Sequence, residues 1–213
     1  MKVLKIPLAT GQVTYSPVEF PSIRVTPIGS TQPIGDLRGF YGARADQYVG
    51  TGPEQIIEAG GRKCYQSNGR GRPSAAFHQN IIEERHGSVA AHPVFNFDIC
   101  GVTRNLTHEL VRHSVGTAIS QESTRYVDVR NRTVPISQIV YKEADRDLAH
   151  QIFEHVQNAK DLYGRLVDGL IGDSKDRGRI KAARTLAAQL MPHGHTTEIV
   201  WSANVRALRN VIE

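Results

Sequence analysis

One segment holds the densest run of polar side chains in the chain: Thr107-His108-Glu109-Leu110-Val111-Arg112-His113-Ser114-Val115-Gly116-Thr117-Ala118-Ile119-Ser120-Gln121-Glu122-Ser123-Thr124-Arg125-Tyr126. It predicts a helix from about Thr103 to His113, a loop of small residues, and then a strand that includes Ser123–Val127. Its two arginines and many hydroxyls offer charge-assisted and neutral hydrogen bonds to phosphate oxygens. A second interpretation stays open, in which the segment is a solvated loop and Ser120 and Ser123 only cap a neighbouring element.

Upstream of this segment, the chain predicts an extended amino-terminal part followed by helices and a strand. Residues 1–52 are rich in Pro, Gly, Thr and Ser and contain short alternating pieces, which favour strands and turns over a helix. Helical signals begin at Pro53, where the first turn is acidic. A second helix is predicted over about Ser74–Arg85, with its apolar face formed by Ala76, Phe77, Ile81 and Ile82. Alternation then predicts a strand over Pro93–Cys100.

Downstream, helices dominate the prediction. A long amphipathic helix is predicted over about Ala144–Ile171, with an apolar face formed by Leu148, Ile152, Val156, Leu162, Leu166 and Leu170. A solvated linker, Gly172–Gly178, leads to a helix over Arg179–Met191, and a strand over Glu198–Ala203 precedes a last helix from Val205 to Ile212. The order of elements predicts an α+β (mixed α/β) fold rather than a regular βαβ array.

Length and composition limit the possible classes. The 213 residues, 39% of them hydrophobic and 22% charged, suit one globular domain with an extension, which we place at 53–213 and 1–52. A net charge of +5 favours an anionic partner without distinguishing nucleic acid from nucleotide. No apolar run reaches the roughly 18–20 residues of a membrane span, and no signal peptide is evident. Cys64 and Cys100 lack CxxC spacing, which suits a reducing cytoplasm.

Histidines and arginines outside the central segment have weaker patterns. The pairs His86/His92 and His193/His195 could bind a metal, but no further ligand lies near the first pair, and we interpret the second as a polar loop. No metal site is therefore predicted. A basic run, whose members Lys181 and Arg184 share a helical face with Arg177, is read as a solvated stripe or an anion-binding face. The phosphate-binding and nucleophile-elbow motifs are absent.

The central segment resembles the signature of the flavin-dependent thymidylate synthases, the ThyX family, in its Arg-His pair followed by a Ser-Gln-Glu-Ser-Thr-Arg-Tyr run. Three outer segments match in the same order. Gly61–Tyr65 resembles the end of the family's first helix, His86–Ser88 its segment before a strand, and the residues from Pro192 to Leu208 its carboxy-terminal Asn-x-Arg-x-Leu element. Four ordered matches over about residues 53–213 are far more specific than one motif.

The resemblance implies a ThyX-like fold with an antiparallel-rich sheet and flanking helices, assembled as a homotetramer with FAD at subunit interfaces. It implies C5-methylation of a uridylate with methylenetetrahydrofolate as carbon donor and NADPH as reductant, without a cysteine nucleophile. The matching catalytic positions are His86, Arg112 and Ser123, the last in substrate binding rather than as a covalent nucleophile. The matching flavin positions are Ser88, Arg112, His113, Ser114, Val115, Asn204, Arg206 and Asn210. The matching nucleotide positions are Glu109, Arg112, Gln121, Glu122, Ser123, Thr124 and Arg125, to which Arg184 is added.

Three departures from the family pattern bear on the substrate. The second arginine of the Arg-His-Arg motif is Ser114 here, and the following spacer is one residue longer. The family's phosphate-binding arginine falls on Ala188, and Arg184, one helical turn earlier, is the predicted substitute. The chain ends at Glu213, short of the family's uracil-polarising arginine, so we expect a truncated carboxyl end.

These departures leave the substrate and the activity class open. UMP and dUMP are nearly equal expectations, with UMP slightly favoured because one branch of the family methylates UMP in polyoxin-type antibiotic biosynthesis. A first alternative is a catalytically degenerate homologue that binds flavin and nucleotide without turnover. A second, a basic nucleic-acid-binding module, is disfavoured because the arginines are not interleaved with aromatic residues. Neither nucleic acid nor a membrane is an expected partner.

Overall fold

The computed structural model describes residues 5–8, 11–14, 22–135 and 146–213. In chain order its strands are β1 (Lys5–Leu8), β2 (Gly11–Thr14), β3 (Arg24–Ser30), β4 (Val94–Thr103), β5 (Thr117–Gln121) and β6 (Thr196–Asn204). Its α-helices are α1 (Leu37–Tyr41), α2 (Gly52–Tyr65), α3 (Ser74–Glu83), α4 (Arg104–Leu110), α5 (Arg146–Ile171), α6 (Arg177–Ala187) and α7 (Val205–Ile212). Short 3-10 turns cover Val89–Ala91 and Ala188–Leu190.

Two sheets are present in the described part of the chain. Strands β1 and β2 form an antiparallel pair in which Lys5 lies opposite Thr14. The second sheet has four strands in the order β3-β4-β6-β5. Its strands run antiparallel, as backbone hydrogen bonds at the two ends of the β5/β6 pair show: Asn204 donates to Gly116, and Glu122 donates to Glu198. The predicted α+β class, with an antiparallel-rich sheet and flanking helices, is confirmed.

Local capping explains where the helices begin. A capping box between Thr51 and Glu54, with a proline in the first turn, starts α2 near the predicted position. The Asp176 side chain accepts hydrogen bonds from two backbone N–H groups of the first turn of α6, so this helix begins at Arg177, two residues earlier than predicted. Helix α7 has the predicted bounds because the side chain of Asn204 caps it through the N–H of Ala207.

Three predicted elements are wrong. The extended amino-terminal part contains a short helix, α1, which Asp36 caps and Gly42 ends in a left-handed conformation. The predicted strand Ser123–Val127 is a turn, because the Ser123 hydroxyl and carbonyl accept backbone hydrogen bonds within it, and the strand lies earlier, at β5. The helix predicted to reach His113 ends at Leu110, before the Arg-His pair.

The apolar faces of two helices also differ from the prediction. On α5, Leu148, Leu162 and Leu166 are exposed, and the buried side chains are Ala149, Val156, Ala159, Tyr163 and Val167. On α3, Ile82 is exposed while Phe77 and Ile81 are buried. The predicted faces are therefore confirmed at Val156, Phe77 and Ile81 and wrong at the exposed positions.

The chain divides into two compact units. Unit 1 consists of the described residues up to Arg24, Cys100–Glu109 and the described part of Gln121–Glu198, and unit 2 consists of Val25–Ile99, Leu110–Ser120 and Ile199–Glu213. The unit 1 core is formed by Val129, Tyr163, Val167, Ala187 and Met191. A cluster of Phe77, Ile81 and Val89 lies in unit 2. None of the described helices has the length and apolarity needed to span a bilayer.

Candidate functional site

The predicted site residues fall into two groups, one in each unit. The unit 2 group consists of His86, Ser88, Arg112, His113, Ser114, Val115, Asn204, Arg206 and Asn210. The unit 1 group consists of Glu109, Gln121, Glu122, Ser123, Thr124, Arg125 and Arg184. The first group contains the positions matched to flavin, and the second contains positions matched to the nucleotide.

Helix α7 brings two parts of the unit 2 group together. The amide nitrogen of Asn210 lies 3.5 Å from Nδ1 of His113, although 97 residues separate them in sequence. At the start of the helix, the backbone N–H of Asn204 donates to the carbonyl of Gly116 over 2.9 Å. The loop after the Arg-His pair is thus attached to the helix that carries the Asn-x-Arg-x-Leu element.

Gly116 is a residue of this group that sequence reasoning did not select. Its φ of +75° lies in the left-handed region, and a Cβ added there would lie 2.8 Å from Cγ of Asn204. The side chain of Asn204 cannot move away without releasing its cap on α7. A glycine between the Arg-His pair and a strand was the available signal, and it predicts a tight backbone approach.

Among the predicted residues of unit 2, His86 has a side-chain partner, whereas Ser88, Ser114 and Val115 are exposed. The Tyr65 hydroxyl lies 2.8 Å from Nδ1 of His86, and the two rings stack. Tyr65 belongs to a matched segment but was given no role. Ser88 is exposed and precedes the 3-10 turn that packs against α2 and α7. Ser114 and Val115 are exposed as well.

Arg112 and Arg206 also have exposed side chains, and neither guanidinium has a hydrogen-bond or ion-pair partner in the described part of the chain. Guanidinium groups bind phosphate oxygens through their fork of N–H donors. Together with the His113–Asn210 pair and the close backbone approach at Gly116, this donor set fits a diphosphate-bearing cofactor such as FAD.

A buried ion pair supports unit 2. Glu58 and Arg62 are fully buried, and Nε of Arg62 donates to the Glu58 carboxylate over 2.6 Å. The same carboxylate accepts from the Ser74 hydroxyl, and from the N–H of Tyr48, whose phenol pKa is raised to about 12, chiefly by burial. The other nitrogens of Arg62 donate to carbonyls of the loop after α2, at Ser67, Arg70 and Arg72.

In unit 1, two neighbouring residues of the group are oriented by side chains far away in sequence. The amide nitrogen of Gln121 donates to the Thr107 hydroxyl over 2.9 Å and lies 3.4 Å from the Thr197 hydroxyl. The Glu122 carboxylate pairs with Arg132, which also pairs with Glu198. Glu122 is therefore engaged by a cation of its own unit, and its nucleotide role stays a prediction.

The turn Ser123–Val127 carries the rest of the unit 1 group. The backbone N–H groups of Tyr126 and Val127 donate to the Ser123 carbonyl, which closes the turn. Arg125 is exposed, and no described residue pairs with its guanidinium. Nη1 of Arg184 donates to the Tyr126 carbonyl, so the structure brings Arg184 to this turn. Glu109 is exposed on the last turn of α4.

The carboxy-terminal histidines of unit 1 do not form a metal site. Nδ1 of His195 is 2.7 Å from the Pro192 carbonyl, and burial lowers the pKa of the ring, which favours the neutral form. The His193 ring lies edge-on to His108, with centroids 5.5 Å apart. Within the described ranges, no three His, Cys, Asp or Glu residues are grouped so that they could bind a metal ion.

An open groove of about 810 Å³ lies elsewhere in unit 1. It is lined by polar side chains of α5 and by Arg130, which is paired with Asp128 and Asp168. None of the predicted site residues lines it.

Comparison with known proteins identifies the family. The model of the family "Thymidylate synthase complementing protein" matches residues 47–213. The flavin-dependent thymidylate synthase of Mycobacterium bovis (strain BCG / Pasteur 1173P2) is 34% identical over 169 residues, which cover 76% of this chain and 66% of that protein. That of Mycobacterium leprae (strain TN) is 32% identical over 173 residues, covering 76% and 67%. The chain thus spans about two thirds of the length of these curated relatives.

Solved structures share the fold. Thymidylate Synthase X (ThyX) from Helicobacter pylori, solved with FAD and dUMP, has a TM-score of 0.54 and 20% identity, with 89% of this chain and 82% of that chain covered. The UMP/dUMP methylase PolB from Streptomyces cacaoi, bound with 5-Br dUMP, has a TM-score of 0.62 and 16% identity, with 90% and 77% covered. Fold, ordered motifs and family model agree, and the chain belongs to the thymidylate synthase complementing protein family, that of the flavin-dependent thymidylate synthases.

Proposed function

We propose that the chain catalyses FAD-dependent reductive C5-methylation of a uridylate, UMP or dUMP, with methylenetetrahydrofolate as carbon donor and NADPH as reductant. The observation that carries the proposal is the contact between His113 and Asn210, two flavin-matched residues 97 positions apart in sequence. Family membership supports the same reaction. We further propose that residues 53–213 form the catalytic part of a cytoplasmic homotetramer with active sites at subunit interfaces.

In unit 2, the exposed donors have defined tasks. Arg112 and Arg206 bind the phosphates of FAD, and His113 and Asn210 hydrogen-bond to its polar groups. Bound FAD supplies the hydride for the reduction. His86, oriented by its contact with Tyr65, is proposed to act beside the flavin and the folate. Ser88, Ser114 and Val115 complete the proposed flavin contacts.

In unit 1, the nucleotide is bound by cations and amides. Arg125 contacts the phosphate or the base, since its guanidinium has no partner among the described residues. Arg184 lies at the same turn. The Thr107 hydroxyl accepts from the amide nitrogen of Gln121, which leaves the amide oxygen to accept the N3–H of uracil. Ser123 and Thr124 offer hydroxyls in the same turn. Glu109, Glu122 and Arg112 are the remaining proposed nucleotide contacts.

Substrate preference is proposed to depend on the altered loop. Ser114 stands where the family has an arginine, and the loop Ser114–Ile119 is one residue longer than the family pattern. A smaller side chain leaves room for a ribose 2′-hydroxyl, and one added polar contact to it discriminates between ribose and deoxyribose. We therefore favour UMP slightly over dUMP.

A turnover assay tests the function. The protein is supplied with FAD, NADPH and methylenetetrahydrofolate, and with UMP or dUMP in separate reactions, and the mass of the product is recorded. A gain of one methyl group on either nucleotide supports the proposal, and the faster nucleotide identifies the branch. A protein that retains flavin but methylates neither nucleotide would be a degenerate homologue, which contradicts the proposal.

A further inference from the structure

Two cations of α6 contact one tyrosine of the turn Ser123–Val127, the proposed nucleotide turn. Nζ of Lys181 donates to the Tyr126 hydroxyl over 2.8 Å, and the same ammonium lies 4.8 Å from the centre of the ring. Three residues further along the helix, Arg184 donates to the backbone carbonyl of Tyr126. The spacing of three places both cations on one helical face. Tyr126 is thus held at its hydroxyl, its ring and its backbone.

Burial does not orient this tyrosine. The Tyr126 side chain is 63% exposed. Packing in a core therefore cannot fix the ring, and polar contacts have to do so. The phenol pKa is lowered by the hydrogen bond from Lys181 and by its positive charge, with a smaller contribution from Arg125. The ammonium and the phenol are accordingly coupled in energy as well as close in space.

The neighbours of Tyr126 make this contact relevant to the substrate. Arg125 and Thr124 precede it directly, and its own N–H donates to the carbonyl of Ser123. Tyr126 and Arg125 share one short turn, so a shift of the backbone at Tyr126 would also shift the backbone that carries Arg125. We propose that Lys181 is a positioning residue of the uridylate site, which orients the turn Ser123–Val127 by holding Tyr126. This inference rests on the proposed function, since it assumes that the turn binds the nucleotide.

Four variants test the inference. Lys181→Met removes the charge and the donor but keeps the apolar stem, and Lys181→Arg keeps a cation. Tyr126→Phe removes only the hydroxyl. The double variant Lys181→Met/Tyr126→Phe completes a double-mutant cycle. Lys175→Met is the matched control, because Lys175 is an exposed lysine of the loop before α6 without a contact to a described residue.

Steady-state kinetics provide the first readout. Lys181→Met should raise KM for the uridylate about fivefold to tenfold, the cost of one hydrogen bond, with kcat and flavin content unchanged. Lys181→Arg should restore most of the affinity, and Lys175→Met should have no effect. In the Tyr126→Phe background, Lys181→Met should add little further loss. An unchanged KM in Lys181→Met overturns the proposal. If the losses of uridylate affinity in Lys181→Met and Tyr126→Phe add in the double variant, the proposal is overturned as well, because Lys181 would then act independently of Tyr126.

Ultraviolet titration of the tyrosines provides a second readout that needs no turnover. The titration step absent from Tyr126→Phe belongs to Tyr126, and it should move to higher pH in Lys181→Met. If the wild type methylates neither nucleotide, the proposed function fails, and binding of UMP and dUMP by calorimetry replaces KM in the same comparison. A Tyr126 step that stays in place, together with unchanged binding, overturns the inference itself.

Discussion

The two units hold their candidate ligand-binding residues by different means. Unit 2 relies on groups with little freedom: a fully buried ion pair, Arg62–Glu58, and a left-handed glycine packed against Asn204. Unit 1 relies on exposed or half-buried cations, such as Lys181 at the Tyr126 phenol. A buried charge that loses its partner cannot be solvated, whereas an exposed group can turn to water.

This difference has a consequence for each proposed ligand. Damage to unit 2 should be large and should affect folding and flavin retention together. Damage to unit 1 should be smaller and graded, and at the turn Ser123–Val127 it should be confined to nucleotide binding.

Removal of the buried arginine should have the largest effect. Arg62→Met leaves Glu58 charged and buried without its main partner, and it removes one donor each from the carbonyls of Ser67, Arg70 and Arg72. The free energy of unfolding should fall by about 3–5 kcal/mol, measured by urea denaturation. Adding Glu58→Gln should recover part of the loss, because it removes the uncompensated charge. The matched control is Arg44→Met, which breaks an exposed pair with Asp46. Equal losses in the two single variants would contradict the premise that burial makes the Arg62–Glu58 pair more sensitive than an exposed pair.

A methyl group at Gly116 should have the next largest effect. Gly116→Ala places a Cβ against the Asn204 side chain at a φ of +75°. We expect a loss of about 2–3 kcal/mol from left-handed strain and disturbed capping, with reduced FAD content in the purified protein. Gly169→Ala, in α5, is the control, since a Cβ there meets no atom within 4 Å. That variant should be neutral or slightly stabilised. Normal flavin content in Gly116→Ala would contradict the proposal that the packing of Gly116 against Asn204 supports flavin binding.

Local sequence signals predicted much of the fold. Helix α7 has the predicted bounds because one asparagine caps an amphipathic segment, and both features are visible in the sequence. Strand β5 was misplaced because the Ser-Thr-Arg-Tyr run has strand propensity but closes a turn through its own backbone. The buried face of α5 was predicted correctly at Val156 but wrongly at Leu148, Leu162 and Leu166, because these leucines do not lie on the packed side of the helix.

The site was predictable where function is carried by a motif and unpredictable where it is carried by a contact. The motif matches gave His113 and Asn210, which the structure brings together. The supporting contacts were missed: 21 residues separate Tyr65 from His86 and 55 separate Lys181 from Tyr126. Pairs at such distances in sequence carry no local pattern, and only the fold joins them.

A pair of variants should distinguish uridylate binding from FAD binding. Arg125→Ala should raise KM for the uridylate roughly tenfold to a hundredfold, because it removes a charge-assisted contact, and FAD content should not change. His113→Ala should instead lower FAD retention, measured by flavin absorbance after gel filtration. Arg165→Ala is the control, an exposed arginine of α5 without a described partner. A nucleotide KM that is unchanged in Arg125→Ala, or a His113→Ala protein that stays fully yellow, would contradict the assignment concerned.

The smallest effect should come from the exposed arginine network of unit 1. Arg130 pairs with two carboxylates, Asp128 and Asp168. Burial raises the pKa of Asp128, but hydrogen bonds and charge from Arg130 outweigh it, so the net pKa is lowered. A hydrogen bond from Arg130 also lowers the pKa of Asp168. Both carboxylates are thus stabilised in their charged form in the folded state.

Arg130→Met should therefore lower Tm by no more than about 2–4 °C near neutral pH, since solvent screens these charges. A carboxyl with a lowered folded-state pKa stabilises the protein above its unfolded pKa, about 3.9 for aspartate, and this stabilisation is lost as pH falls through the folded-state value. The Tm difference between wild type and variant should thus be constant above about pH 5 and shrink toward zero in more acidic buffer. High salt should shrink it as well. A difference that persists in acid or in salt would mean that Arg130 stabilises unit 1 through packing of its side-chain stem rather than through its charge.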